Sequence, residues 1–152
     1  MKEQGMSLIV KRITKITVSL IFLFGVYIVL HGHISPGGGF AGGVIIALSF
    51  VHLVLAFGKE TALKRLSETA ASAVESLGGL FFWGIGLLGL FAGGAFFMNV
   101  LPKGRPFDLF SSGSIILSNI AIAMKVGAGL FAIFIAMAIL RIPVDEGDKQ
   151  KR

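Results

Sequence analysis

Cysteine is missing from all 152 residues, which excludes disulfides, thiolate-held metals, iron–sulfur clusters and a cysteine nucleophile together. Charge is scarce as well. Asp, Glu, Lys and Arg make up 14% of the chain, where a water-soluble domain uses about 25% to cover its surface. The acidic residues are Glu3, Glu60, Glu68, Glu75, Asp108, Asp145, Glu146 and Asp148. None of them stands in the apolar part of a long hydrophobic run. Paired carboxylates, a nucleophile–base set and a metal-ligand cluster are therefore absent from the pattern. A catalytic site of the chain's own is disfavoured, no bound metal is expected, and no cofactor is implied.

What the chain has in quantity is apolar surface: 55% of residues are hydrophobic and the mean hydropathy is +0.87. Four stretches are long enough to cross a hydrocarbon core of about 30 Å, which takes roughly 20 helical residues. They run over residues 13–30, 39–57, 77–98 and 115–140. Between the second and third, Lys59 to Ser76 places Leu63, Leu66, Ala70, Ala73 and Leu77 at helical spacing with charges between them, the pattern of an interfacial helix. The expected fold class is an all-α membrane protein of four transmembrane helices, forming a single domain over residues 1–152. The first stretch follows Lys11, Arg12 and Lys15 but ends in YIVLHGHISP, without a small-x-small cleavage site. It is expected to be a span and not a cleaved signal.

The net charge of +6 does not point to nucleic acid, because the basic residues flank apolar spans. Lys2, Lys11, Arg12 and Lys15 precede the first span, Lys59, Lys64 and Arg65 lie in the middle loop, and Arg141, Lys149, Lys151 and Arg152 follow the last. With four spans these three segments share one side, against Lys103 and Arg105 on the other. The positive-inside rule then puts both termini in the cytoplasm. The turns, His31 to Gly38 and Lys103 to Gly113, are too short to be domains.

One charge breaks the pattern. Lys125 stands about ten residues inside the fourth span, roughly 15 Å from its start, so its ammonium does not reach an interface comfortably by snorkelling. A charge at that depth costs roughly 2.5 to 3.5 kcal/mol on insertion scales and faces protein or water. Ser118, Ala121, Ala128, Gly129, Ala132 and Ala136 share its stripe, which reads as a packing face. Ile116, Ile120, Leu130, Phe131, Phe134 and Met137 read as the lipid face. Glu75 enters from the cytoplasmic side and Asp108 sits in the opposite loop, so the expected partner of Lys125 is a carboxylate or a water-filled cavity supplied by another subunit. The competing reading is a lysine kept neutral by burial, or one bonded to backbone carbonyls, with only a packing role.

The turn GHISPGGGFAGG, Gly32 to Gly43, invites a phosphate-loop reading that fails, since no Lys-Ser/Thr pair follows and no strand precedes it. Pro36 fixes the turn, while Gly37, Gly38, Gly39, Gly42 and Gly43 let the second helix start pressed against a neighbour. Histidine is the side chain suited to proton transfer near neutral pH, which makes His52 and His33 ion-path candidates beside Lys125. The bland readings are a hydrogen-bonded interfacial residue for His52 and a turn anchor for His33. His52 is about 20 Å along the helix from Gly39, so a bis-histidine haem site with His31 or His33 is disfavoured. In the third span, Gly79, Gly86, Gly89 and Gly93 suggest close contact with neighbouring helices.

GHISPGGGFAGG between the first two spans, together with NIAIAMKVGAGL from Asn119 to Leu130, resembles the B subunit of Mrp-type (Mnh-type) Na⁺/H⁺ antiporters. The same module occurs in membrane-bound hydrogenases and related respiratory complexes. The likeness extends over essentially the whole chain. It implies a non-catalytic subunit in a bacterial or archaeal cell membrane, packed against small membrane subunits and a large antiporter-like subunit, on the path of Na⁺ or H⁺. Many antiporter members carry an acidic residue near the position of Lys125. Na⁺ prefers oxygen ligands, so a lysine there implies a charge-paired relay or structural ion pair in place of direct Na⁺ coordination.

Overall fold

The computed structural model describes residues 6–64, 66–105, 108 and 111–139. The chain forms α1 (Leu8–Leu30), α2 (Gly38–Phe57), α3 (Lys59–Leu63), α4 (Glu68–Gly93) and α5 (Ser114–Ile139), with no strand among the described residues. Four of these helices, all but α3, are long and apolar enough to cross a membrane. At about 1.5 Å per residue, the 26 residues of α4 reach about 39 Å, more than the roughly 30 Å of hydrocarbon.

The bounds differ from expectation where capping overrides hydropathy. α1 starts at Leu8 because the Ser7 hydroxyl accepts from the Val10 N–H at 3.5 Å, so Lys11 and Arg12 are already helical. The helix expected over 59–76 survives only as the short α3. From Glu68 onward that segment belongs to α4, whose first turn is capped by the Ser67 hydroxyl accepting from the Ala70 N–H at 3.1 Å. α4 stops at Gly93, five residues before the expected end at 98, because Gly94 turns left-handed at φ 80°. The chain then folds back along its own helix. The Phe97 N–H donates to the Gly86 carbonyl at 3.3 Å, and Met98 packs against Gly89 and Gly93. Gly86, Gly89 and Gly93 thus accommodate the chain's own return segment, not a neighbouring helix.

The helices stand in the order α1, α2, α5, α4, each packing mainly on its neighbour. α1 and α2 are antiparallel, as are α5 and α4, while α2 and α5 run parallel: Gly39 meets Asn119, and four residues on Gly43 meets Ala123. One end of the bundle carries the α1–α2 turn. At the other, here called the terminal end, α1 and α4 begin and α2 and α5 finish. There Val54, Ala62, Ala71, Phe131 and Ile135 form a buried cluster. Phe131 is fully buried and its ring lies 5.6 Å from that of Phe50. Phe131 and Ile116 therefore do not face lipid as expected. α5 is an inner helix with neighbours on two sides, so two of its faces are covered.

Outward-facing residues are strongly apolar, among them Ile9, Leu20, Trp83, Leu88 and Phe91. In water so much exposed hydrocarbon would drive aggregation. In a bilayer the surrounding solvent is equally apolar, and backbone polar groups closed within helices are the condition for spanning it. The chain is a multi-pass membrane protein.

Candidate functional site: an ion pair on the flank of the bundle

α4 and α5 approach closely because Gly78 presents no side chain. A Cβ there would lie 2.7 Å from the Lys125 backbone nitrogen and 2.8 Å from the Ala121 carbonyl oxygen, closer than such atoms pack. This contact sets the vertical register of the two helices. Glu75 lies three residues before Gly78, toward the terminal end, and Gly129 lies four residues after Lys125 in the same direction. The lysine side chain reaches back by about one turn, and its Nζ donates to Glu75 Oε1 at 3.4 Å. A Cβ on Gly129 would stand 3.4 Å from the Glu75 carboxyl carbon, and one on Gly79 would stand 3.7 Å from Lys125 Nζ. The pair lies in a notch between these two glycines.

Lys125 therefore finds its carboxylate within its own chain, not in another subunit. Hydropathy alone places Glu75 in an interfacial helix, outside the spans, which is why the pairing does not show in the sequence. Glu68 to Gly93 is one uninterrupted helix, and Glu75 lies about 10 Å along it. The signal was present in the sequence as a Ser67 cap followed by 26 residues without proline, a helix start that hydropathy does not register. Gly129 was visible only as one of several small residues on the lysine stripe.

The pair is not buried in the bundle: the Lys125 and Glu75 side chains are 56% and 39% exposed. They form part of the flank that α4 and α5 present to the surroundings. Two opposite charges at this depth can exchange a proton-coupled ion pair for a separated one, or attract a polar group from outside.

The remaining candidates lie elsewhere. His52 Nε2 is 3.4 Å from the hydroxyl of buried Thr14, tying α2 to α1 near the terminal end. His33 Nε2 is 3.2 Å from the Asp108 carbonyl oxygen across the turn end. Neither histidine contacts Lys125 or Glu75 among the described residues, and His31 stacks on Tyr27 at 4.1 Å. In the glycine turn, Pro36 is exposed and leads into Gly37 and Gly38, both with positive φ. Gly39 lies against the Asn119 backbone, Gly42 against Gly25 and Val29 of α1, and Gly43 against Ala123 and Val126 of α5. Asn119, which sequence reasoning did not single out, accepts a buried hydrogen bond from the Gly39 N–H at 3.2 Å. It ties the start of α2 to α5.

Residues 9–132 match the family of domains related to the MnhB subunit of Na⁺/H⁺ antiporters. An uncharacterised protein of Methanocaldococcus jannaschii, MJ1307, is 32% identical over 140 residues, covering 87% of this chain and 52% of that protein. A Staphylococcus epidermidis protein described as an antiporter subunit, mnhB2, is 42% identical over 66 residues, covering 43% of this chain and 45% of that one. Among solved structures, a chain of the membrane-bound sulfane sulfur reductase, an archaeal respiratory membrane complex, superposes with a TM-score of 0.74. Its sequence is 31% identical, and the match covers 90% of this chain and 60% of that one. The chain thus spans about half the length of the curated relatives it matches. With the match running over most of its length and through both the glycine turn and the Lys125 segment, the chain belongs to the MnhB family.

Proposed function

We propose that this chain is a non-catalytic membrane subunit of a multisubunit Mrp-type cation/proton antiporter module. In that module the Glu75–Lys125 pair is its electrostatic element on the ion path. The observation that carries the reading is an ion pair on an outward flank of a bundle whose outward-facing residues are strongly apolar. A charged pair turned toward lipid is expensive, and in membrane proteins such groups face a partner helix or a water-filled cavity. Other membrane subunits, small ones and a large antiporter-like one, supply that surface. Na⁺ does not bind at the ammonium, which repels it. A proton reaching Glu75 neutralises the carboxylate and releases the lysine, and its departure closes the pair again. The change in local field is what a neighbouring ion site senses. In this reading His33 and His52 hold helix ends and do not relay protons, and the fold acts as one domain with both termini in the cytoplasm.

The test uses the assembled complex in inverted membrane vesicles. Glu75→Gln and Lys125→Met each lower Na⁺-dependent proton movement severalfold while the complex remains intact on a native gel. The exchange of both charges, Glu75→Lys with Lys125→Glu, recovers part of it. Normal transport in intact single variants would leave the pair a packing feature only.

A second reading concerns the host. The structural match over 90% of the chain is to a chain of a respiratory membrane complex, which favours a redox-driven ion pump carrying the same module. Gentle purification from native membranes distinguishes the two, because iron–sulfur subunits accompany this chain only in the redox version.

A further inference from the structure

We propose that the crevice between α1 and α2 at the terminal end is a binding site for one anionic phospholipid, with Lys15 at its headgroup and a single hydrocarbon chain laid along the helices. The crevice is a side-open groove of about 710 Å³. At its outer rim Lys15 is exposed, and its ammonium lies 5.9 Å above the ring of Phe57, with no carboxylate among the lining residues. Deeper in, the walls are apolar: Phe22 and Leu23 from α1, Phe50 and Leu53 from α2.

The hydroxyls that line the groove direct their protons to backbone carbonyls. Ser19 donates to the Lys15 carbonyl, Ser49 to the Ile46 carbonyl at 2.6 Å and Thr61 to the Phe57 carbonyl. Lys15 is thus the one cation among the lining residues. Arg12, exposed three residues earlier on the same flank of α1, extends the positive charge toward the headgroup layer.

Length fits as well as charge. The edge-to-face rings of Phe22 and Phe50, 6.2 Å apart, stand at its inner end and close it off from a second cavity of about 350 Å³ that α4 and α5 also line. From Lys15 to Leu23, the span of α1 that lines the groove, is about 12 Å along the helix, most of the roughly 15 Å depth of one leaflet's hydrocarbon. A groove with apolar inner walls over most of one leaflet's depth, opened by a cation at its outer rim, matches a lipid with a negative phosphate. A partner helix seated there would have to bring its own anion to the Lys15 ammonium, since no lining residue is acidic. Basic pockets between spans are a recognised form of lipid-headgroup site. The inference needs only that the four helices cross a membrane, and holds whether or not the Glu75–Lys125 pair takes part in transport.

The test places a benzophenone side chain at Leu23 in the assembled complex, reconstituted in vesicles of equal phosphatidylglycerol and phosphatidylcholine. Adducts on this chain are then identified by mass after illumination. Phosphatidylglycerol adducts exceed phosphatidylcholine adducts about fivefold, the discrimination one basic residue near a membrane surface supports. Lys15→Gln and Lys15→Glu bring the two to parity, and Lys15→Arg preserves the preference. Equal labelling in the unmodified groove, a preference that survives both Lys15→Gln and Lys15→Glu, or an adduct with a polypeptide would each overturn the assignment. Polypeptide adducts would show that a partner subunit occupies the groove.

Discussion

Lys125→Met leaves the Glu75 carboxylate alone against an apolar flank, and Glu75→Gln does the same to the ammonium. Removing one member of a charge pair in a low-dielectric setting is worse than removing both, because the survivor keeps its desolvation penalty without its partner. The double variant Glu75→Gln/Lys125→Met should therefore accumulate to a higher level in the membrane, and melt at a higher temperature in detergent, than either single variant. A double variant no better than the worse single one would mean that another group had already paired with the survivor. Gly129→Val is a subtler probe: the space beside it is 3.4 Å from the Glu75 carboxyl carbon, and a branched side chain there displaces the carboxylate. Its expected signature is reduced transport with unchanged assembly.

At the scale of elements, the glycines divide into those that set helix registers and those that do not. A Cβ on Gly39 would run into the Asn119 backbone, and one on Gly78 into that of Lys125 and Ala121. Backbone cannot swing aside as a side-chain end can, so Gly39→Ala and Gly78→Ala should each destabilise by about 1–3 kcal/mol, the range for overpacking. Gly84, on the same α4, has nothing within 4 Å of its Cβ position. Gly84→Ala should leave stability within about 0.5 kcal/mol of the parent. Thermal unfolding of the three variants in one detergent checks the contrast. Because Gly39 and Gly43 pack against the chain's own helices, larger residues there act first on the subunit's fold and only through it on the complex. The same scale shows why hydropathy misplaced α4. Residues 68–76 are too polar to read as a span, and only the Ser67 cap marks them as the start of the long helix.

For the whole molecule, sidedness is testable by a clean experiment, since the chain contains no cysteine. With Lys64→Cys or Lys103→Cys as the sole thiol, a membrane-impermeant maleimide should label the first only in inverted vesicles and the second only in right-side-out ones. The opposite pattern would reverse the orientation inferred from the lysines and arginines. Labelling of both from one side would contradict the four-span topology itself.

The number of spans, their approximate limits and the presence of an out-of-place charge were all legible in the residues. Whether a stretch crosses a bilayer depends on its own length and polarity, properties that need no neighbour. The company Lys125 keeps was not legible, because it depends on the height at which α4 stands beside α5, and that height follows from Gly78 seating on the Lys125 backbone. Nor was the destination of Gly86, Gly89 and Gly93, since small residues announce a close approach without naming what approaches. Here it is the chain's own return segment, turned back by a left-handed Gly94. Local composition thus determined what lies in the membrane, and the packing of one helix on another decided which side chains meet there.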